Sequence, residues 1–232
     1  MNVWKKVLVP GCFPVLAGYR IQCGIAIAEY SEITEHEENK ILLEGIDNLE
    51  LKKIKEVAGE RGFKICVRGF ATPETILTGI TYLIMKHPKI DTAEVRKIVG
   101  EYSIECASAL YGGIVFMLDN EILSTFVEIP ENYVLAIFET AYSPSLKNCH
   151  PNIESYLDFV SGALSMDLEK CSEALAEIQG SREFWDKHRE LRETSIFWGL
   201  GANNMVFSVM KGDNVRGHEI NRTGLLLEEI DD

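Results

Sequence analysis

The sequence predicts an α+β fold, and three observations carry that expectation. Strand-like and helix-like runs come in blocks rather than in regular alternation. The first third is aliphatic and punctuated by Gly and Pro, whereas residues 152–194 place apolar side chains at helical spacing. A chain of 232 residues with 46% hydrophobic content can bury a core of ordinary size, as one domain or two small lobes.

Taken in order, Trp4 to Val9 is an apolar strand that stops at the Pro10-Gly11 turn pair. Phe13 to Ala17 and Cys23 to Tyr30 are further strands, with Gly18 and Gly24 as breakers, and Lys40 to Glu44 is a short one. Leu51, Ile54, Val57 and Ala58 follow a helical period within Leu49 to Ala58, and Phe63 to Val67 alternates and returns to strand. Thr72-Pro73 then starts a helix, with a hydroxyl N-cap and a proline at the first helical position, where its missing N–H is not needed. Its stripe of Ile76, Leu77, Ile80, Leu83 and Ile84 runs out at His87-Pro88. Asp91-Thr-Ala-Glu94 is a capping-box entry to a helix with Val95, Ile98, Val99 and Tyr102 on one face.

Gly113 to Leu118 and Glu121 to Phe126 read as a hairpin across a two-residue Asp119-Asn120 turn, followed by a strand from Tyr133 to Phe138. Three helices come next. The first carries Ile153, Tyr156, Leu157, Val160 and Leu164, the second Leu168, Cys171, Leu175 and Ile178 up to Gly180, and the third Phe184, Trp185, His188 and Leu191. Ser195 to Trp198, the glycine-rich stretch to Asn204, and Met205 to Met210 read as strand, loop, strand. The polar chain after Lys211 is expected to be partly loose until Leu225-Leu-Leu227.

Composition removes several function classes. No apolar run approaches ~18 residues, so no segment is expected to span a membrane. The start is too short in apolar residues for a secretory signal, which points to the cytoplasm. A net charge of −13, from 36 acidic and 23 basic residues, repels phosphate backbones and argues against nucleic-acid binding. It also opposes an anionic substrate unless the site is locally positive. The clusters Glu35-His-Glu-Glu38 and Glu228 to Asp232 read as solvated faces. Six cysteines without paired short spacings suit neither zinc nor a disulfide framework, and are expected as reduced, mostly buried thiols.

Four segments resemble the GHMP small-molecule kinases, in that family's order and over nearly the whole chain. Val7-Leu-Val-Pro10-Gly11-Cys12 through Gly18-Tyr19 is similar to the first motif, a strand running into Pro-Gly-Lys, in the form found in the mevalonate and phosphomevalonate kinase branch. Phe63 to Gly69 with the Thr72 helix stands where the phosphate loop should be. Ser103 to Gly113, with Glu105 and Tyr111-Gly112-Gly113, resembles the stretch that carries the catalytic acid. Gly199-Leu-Gly201-Ala-Asn203-Asn204 before Met205 to Val209 looks like the third motif, a glycine-rich turn before a strand.

The resemblance implies a two-lobed fold, with an N-terminal ribosomal-S5-like lobe over residues 1–130 and a ferredoxin-like C-terminal lobe over 131–232. It implies ATP, Mg²⁺ and a small metabolite bearing a hydroxyl or phosphate. Glu105 would be the catalytic base. Arg68, Gly69, Thr72 and Thr75 would hold the nucleotide phosphates at a helix N-terminus. Arg20, Gly199, Gly201, Asn203 and Asn204 would line the substrate, and Thr72 and Glu105 would reach magnesium. This chain departs from the family at Cys12, which replaces the motif lysine, and at Pro73 and Glu74, which remove a donor and add a carboxylate at the phosphate site. Two alternatives therefore stay open: a catalytically silent relative that binds a ligand or partner with the same cleft, and a different chemistry using Cys12. Assembly into a homodimer is left open as well.

Overall fold

The computed structural model describes residues 2–8, 21–32, 35–37, 40–45, 64–69, 104–118, 121–142, 153–201 and 205–222. The expected helices after Leu49, Thr72 and Asp91, the strand at Phe13, and the Asp119-Asn120 turn lie outside those residues. The described elements are β1 (Asn2–Leu8), β2 (Ile21–Glu32), β3 (Glu35–Glu37), β4 (Lys40–Gly45), β5 (Lys64–Gly69), α1 (Ile104–Tyr111), β6 (Ile114–Leu118), β7 (Glu121–Phe126), β8 (Tyr133–Glu139), α2 (Ile153–Ser165), α3 (Leu168–Ile178), α4 (Arg182–Lys187), α5 (Arg189–Glu193), β9 (Ser195–Leu200), β10 (Met205–Lys211) and β11 (His218–Glu219).

Strand and helix are mixed without regular alternation, so the α+β class holds. The strands form three sheets, ordered β1-β2-β6-β7, β11-β8-β10-β9 and β3-β4-β5. The first two are antiparallel throughout. Leu118 faces Glu121 across the β6–β7 hairpin, as a two-residue connection requires. In the third sheet β4 and β5 run parallel, from Lys40 opposite Lys64 to Gly45 opposite Gly69. Parallel neighbours cannot be joined by a tight hairpin turn.

One buried cluster gathers Ile25 and Phe116 of the first sheet, Phe207 of the second, and Phe159, Cys171 and Leu175 of α2 and α3. Phe116 is its joint. Its ring meets Phe159 edge-on at 5.6 Å and Phe197 edge-on at 5.8 Å, so one side chain links a sheet, a helix and the other sheet.

Three expectations are corrected. First, α2 buries only part of its expected stripe: Tyr156 is buried and Val160 packs against the core, but Ile153 and Leu157 are each 62% exposed and Leu164 is 59% exposed, while Ser155, Phe159, Gly162 and Ala163 face inward. The reason is the closeness of α3. A Cβ at Gly162 would lie 2.9 Å from Cys171 Sγ and 3.1 Å from its amide nitrogen, so only small side chains fit there. Second, the third expected helix is two, broken at His188, which sits at φ −110, ψ 43. Its Nδ1 lies 2.7 Å from the Phe184 carbonyl and its ring stacks on Phe184 at 4.2 Å, which turns the chain out of helical register. Third, the chain after Lys211 is ordered as far as Arg222. A 3₁₀ turn at Gly212–Asn214 leads to β11, and Ile220 and Asn221 are buried.

The α3 helix begins on Asp167, whose side chain accepts from Lys170 N–H at 2.9 Å, and closes on Gly180 at φ 60 with Ser181 N–H donating to Ala176 O. It also reaches the outer edge of β9. Ser172 Oγ accepts from Trp198 N–H at 2.9 Å, while the Gln179 amide donates to Leu200 O at 2.7 Å and accepts from Leu200 N–H at 2.9 Å.

Cys23 and Cys171 are buried free thiols, as expected. Burial pushes the Cys23 thiol well above its ordinary value, with the neighbouring Cys171 adding to it. Burial, then the Asp167 charge, lifts Cys171 from 9.0 to about 12, against a smaller pull downward from Lys170. Both thiols therefore stay protonated when folded, whereas an unfolded thiol ionises from about pH 9 upward. Their contribution to stability is intact below that pH and is lost as pH rises from 9.0 toward 12. Iodoacetamide at pH 8 is expected to leave both unlabelled in the native protein and to label both in guanidinium, as read by peptide mass spectrometry.

Candidate active site

Helix α1 and the turn that follows it form the best-described part of the site. Ile104, Ala107, Ser108 and Leu110 are buried, seating the helix on β1, β2 and β6. The seat depends on Gly24 of β2, where a Cβ would overlap Ser108 Oγ and lie 2.9 Å from Ile104 Cγ1. Ser108 Oγ is satisfied within the helix by donating to Ile104 O at 2.7 Å. The chain leaves α1 through Gly112 at φ 71 and Gly113 at φ 62, the left-handed region that glycine enters at no steric cost. A side chain at Gly113 would also run into the Phe126 backbone.

Glu105 lies on α1, and residues 101–103 before that helix lie outside the described residues. It stands one position, roughly 100° of turn, round from the buried Ile104. Its side chain lies outside what the structure describes.

Arg68 and Gly69 are the last two residues of β5, at register positions opposite Glu44 and Gly45. Thr72, Thr75, Arg20 and Cys12 lie outside the described residues, as do Asn203 and Asn204.

The third motif is the β9–β10 hairpin. Val206 pairs with Leu200 and Phe207 with Gly199, and Gly201 N–H donates to Met205 O at 2.7 Å to close the loop. The two glycines differ. A Cβ at Gly199 would come 2.5 Å from Leu175 Cδ2 and 2.8 Å from the Phe207 ring, so glycine there serves helix-on-sheet packing. At Gly201 the nearest atom would be Met205 Cβ at 3.6 Å, an ordinary contact, which leaves its backbone open to approach.

The sequence reading did not single out Asn221, whose backbone bonds the turn after α1, or Arg222, which bonds the carbonyls of Ile129 to Tyr133. Their partners lie far off in sequence, and no periodicity marks them. Among the described residues no three His, Cys, Asp or Glu side chains gather as a metal site. No helix among them is long and apolar enough to cross a membrane.

No family model matches the sequence. No curated protein matches it either. Solved structures do. Mevalonate-3-kinase from Thermoplasma acidophilum, with mevalonate 3-phosphate and ADP bound, superposes with a TM-score of 0.54 at 12% identity, over 96% of this chain and 95% of that one. The same enzyme with mevalonate bound gives 0.53 at 13% identity, with the same coverage. Homoserine kinase from Cytophaga hutchinsonii gives 0.46 at 11% identity, over 94% of this chain and 95% of that one. Motif order in the sequence and likeness over the whole length to mevalonate-3-kinase agree, and the chain has the fold of the GHMP small-molecule kinases.

Proposed function

We propose that the protein is an ATP-dependent small-molecule kinase of the GHMP type, acting in the cytoplasm on a metabolite that bears a hydroxyl or phosphate. The observation that carries this reading is the likeness, over nearly all of both chains, to a kinase holding ADP and a phosphorylated product. Residues 1–130 and 131–232 are the two lobes. Glu105 accepts the proton of the acceptor hydroxyl as its oxygen attacks the γ-phosphoryl group. Arg68, Gly69, Thr72 and Thr75 hold the nucleotide phosphates, and Arg20, Gly199, Gly201, Asn203 and Asn204 line the acceptor. Thr72 and Glu105 hold Mg²⁺, which screens phosphate charge. Phosphoryl transfer asks the protein mainly for placement and charge stabilisation. In a chain of net charge −13, Arg20 and Arg68 supply the local positive field that an anionic substrate needs.

Cys12 in place of the motif lysine, with Pro73 and Glu74 at the phosphate segment, favours a second reading: a silent relative that binds with the same cleft. Unfolding with and without Mg-ATP addresses the first step. A ligand that binds only the folded state at 100 times its Kd adds about 2.7 kcal/mol, so the melting temperature is expected to rise by several degrees. No rise at millimolar Mg-ATP overturns both the kinase and nucleotide-binding readings. A rise without phosphoryl transfer to any acceptor in a metabolite panel selects the silent relative.

A further inference from the structure

The segment from His218 to Arg222 reaches three distant parts of the molecule. His218 and Glu219 pair with Leu135 and Val134 of β8. Ile220 bridges to Ile27 of β2. Asn221 N–H then donates to Ala26 O at 2.9 Å, Asn221 O accepts from Gly113 N–H, and Gly113 O accepts from Ala26 N–H at 3.1 Å. These three backbone bonds close a triangle between β2, the segment and the turn that follows α1. Arg222 secures the far end. Its Nε donates to Ile129 O at 3.0 Å, and one terminal nitrogen reaches Pro130 O at 3.2 Å, Glu131 O at 2.8 Å and Tyr133 O at 3.2 Å. A rigid guanidinium fork suits such a set of carbonyls, and lysine cannot reproduce it.

We propose that this segment is a strap that positions Glu105, with Arg222 as its latch. The inference rests on the reading of Glu105 as the base. Gly112 and Gly113 both take positive φ and carry no side chains, so bonds from outside decide how α1 meets β6. The helix between Glu105 and Tyr111 is short and continuous and moves as one body, pivoting where Ser108 seats on Gly24. A displacement of the turn therefore travels along α1 to Glu105. Misplacement by about 1 Å costs on the order of 10²-fold in a reaction that depends on alignment.

The test uses the full chain with Arg222→Ala and Arg222→Lys. Amide hydrogen exchange of the peptide spanning 111–114 is expected to quicken about tenfold in Arg222→Ala, and less in Arg222→Lys. Unchanged exchange overturns the strap whatever the activity. Arg222→Ala is also expected to lower kcat for phosphoryl transfer about tenfold, leave KM for ATP unchanged, and cost nothing further in the Glu105→Gln background, because the two residues then act on one step. An equal loss in both backgrounds overturns the positioning role. If Arg222→Ala does not fold, Arg222→Lys carries both measurements. Faster exchange in Arg222→Ala, together with a wild-type protein that transfers no phosphoryl group, overturns the base reading and the positioning role together, leaving a purely structural latch. Unchanged exchange with activity intact removes the strap alone.

Discussion

Glu105→Gln is expected to lower kcat for phosphoryl transfer by about 10²–10⁴-fold, the range that a positioned general base contributes. Glutamine keeps the size of the side chain but removes both the proton acceptor and the charge offered to Mg²⁺, so kcat is expected to fall by a much larger factor than KM for Mg-ATP rises. The measurement is steady-state transfer from Mg-ATP across an acceptor panel, with wild type and variant at matched concentration. The position of Glu105 makes the experiment clean. It lies on α1 and is not one of Ile104, Ala107, Ser108 and Leu110, the buried residues that seat the helix. A variant as active as wild type would remove Glu105 from the chemistry.

Phe116→Ala is expected to destabilise the fold by about 3–5 kcal/mol, the range for deleting a buried aromatic ring. Phe116 is 1% exposed and meets Phe159 of α2 and Phe197 of β9, so the cavity would open where two sheets and a helix converge. Set against a typical domain stability of roughly 5–15 kcal/mol, that is a large share. Equilibrium denaturation in urea reads it as a fall in midpoint at unchanged slope. Phe116→Leu should recover much of the loss. A change below 1 kcal/mol in Phe116→Ala would mean that the sheets do not depend on this joint.

What the sequence disclosed follows how local each interaction is. The β6–β7 and β9–β10 hairpins were legible because a strand period and a turn lie within a dozen residues of each other. The end of α3 was legible from Gly180, since a left-handed C-terminal position selects glycine. The inward face of α2 was not, because it is set by how near α3 approaches at Gly162, and a helical period alone favours the larger Ile153, Leu157 and Leu164. The ordered segment after Lys211 was not legible either. The partners of Arg222 are 89 to 93 positions away, and its surroundings in sequence are polar. In the candidate site, Glu105 and the Tyr111-Gly112-Gly113 run could be picked out from the order of residues. The distinction between Gly199 and Gly201 could not, since it rests on Leu175 and Phe207 from other elements.

The Ser172 and Gln179 side chains occupy donors and acceptors along β9 that a strand from another molecule would otherwise use. At the opposite border the terminal strand is only His218–Glu219, too short to template an added one. Both margins of that sheet are thus closed to edge-to-edge polymerisation. Removing the Ser172 or Gln179 side chain would leave buried backbone groups of β9 without partners, so substitution at either is expected to lower the melting temperature.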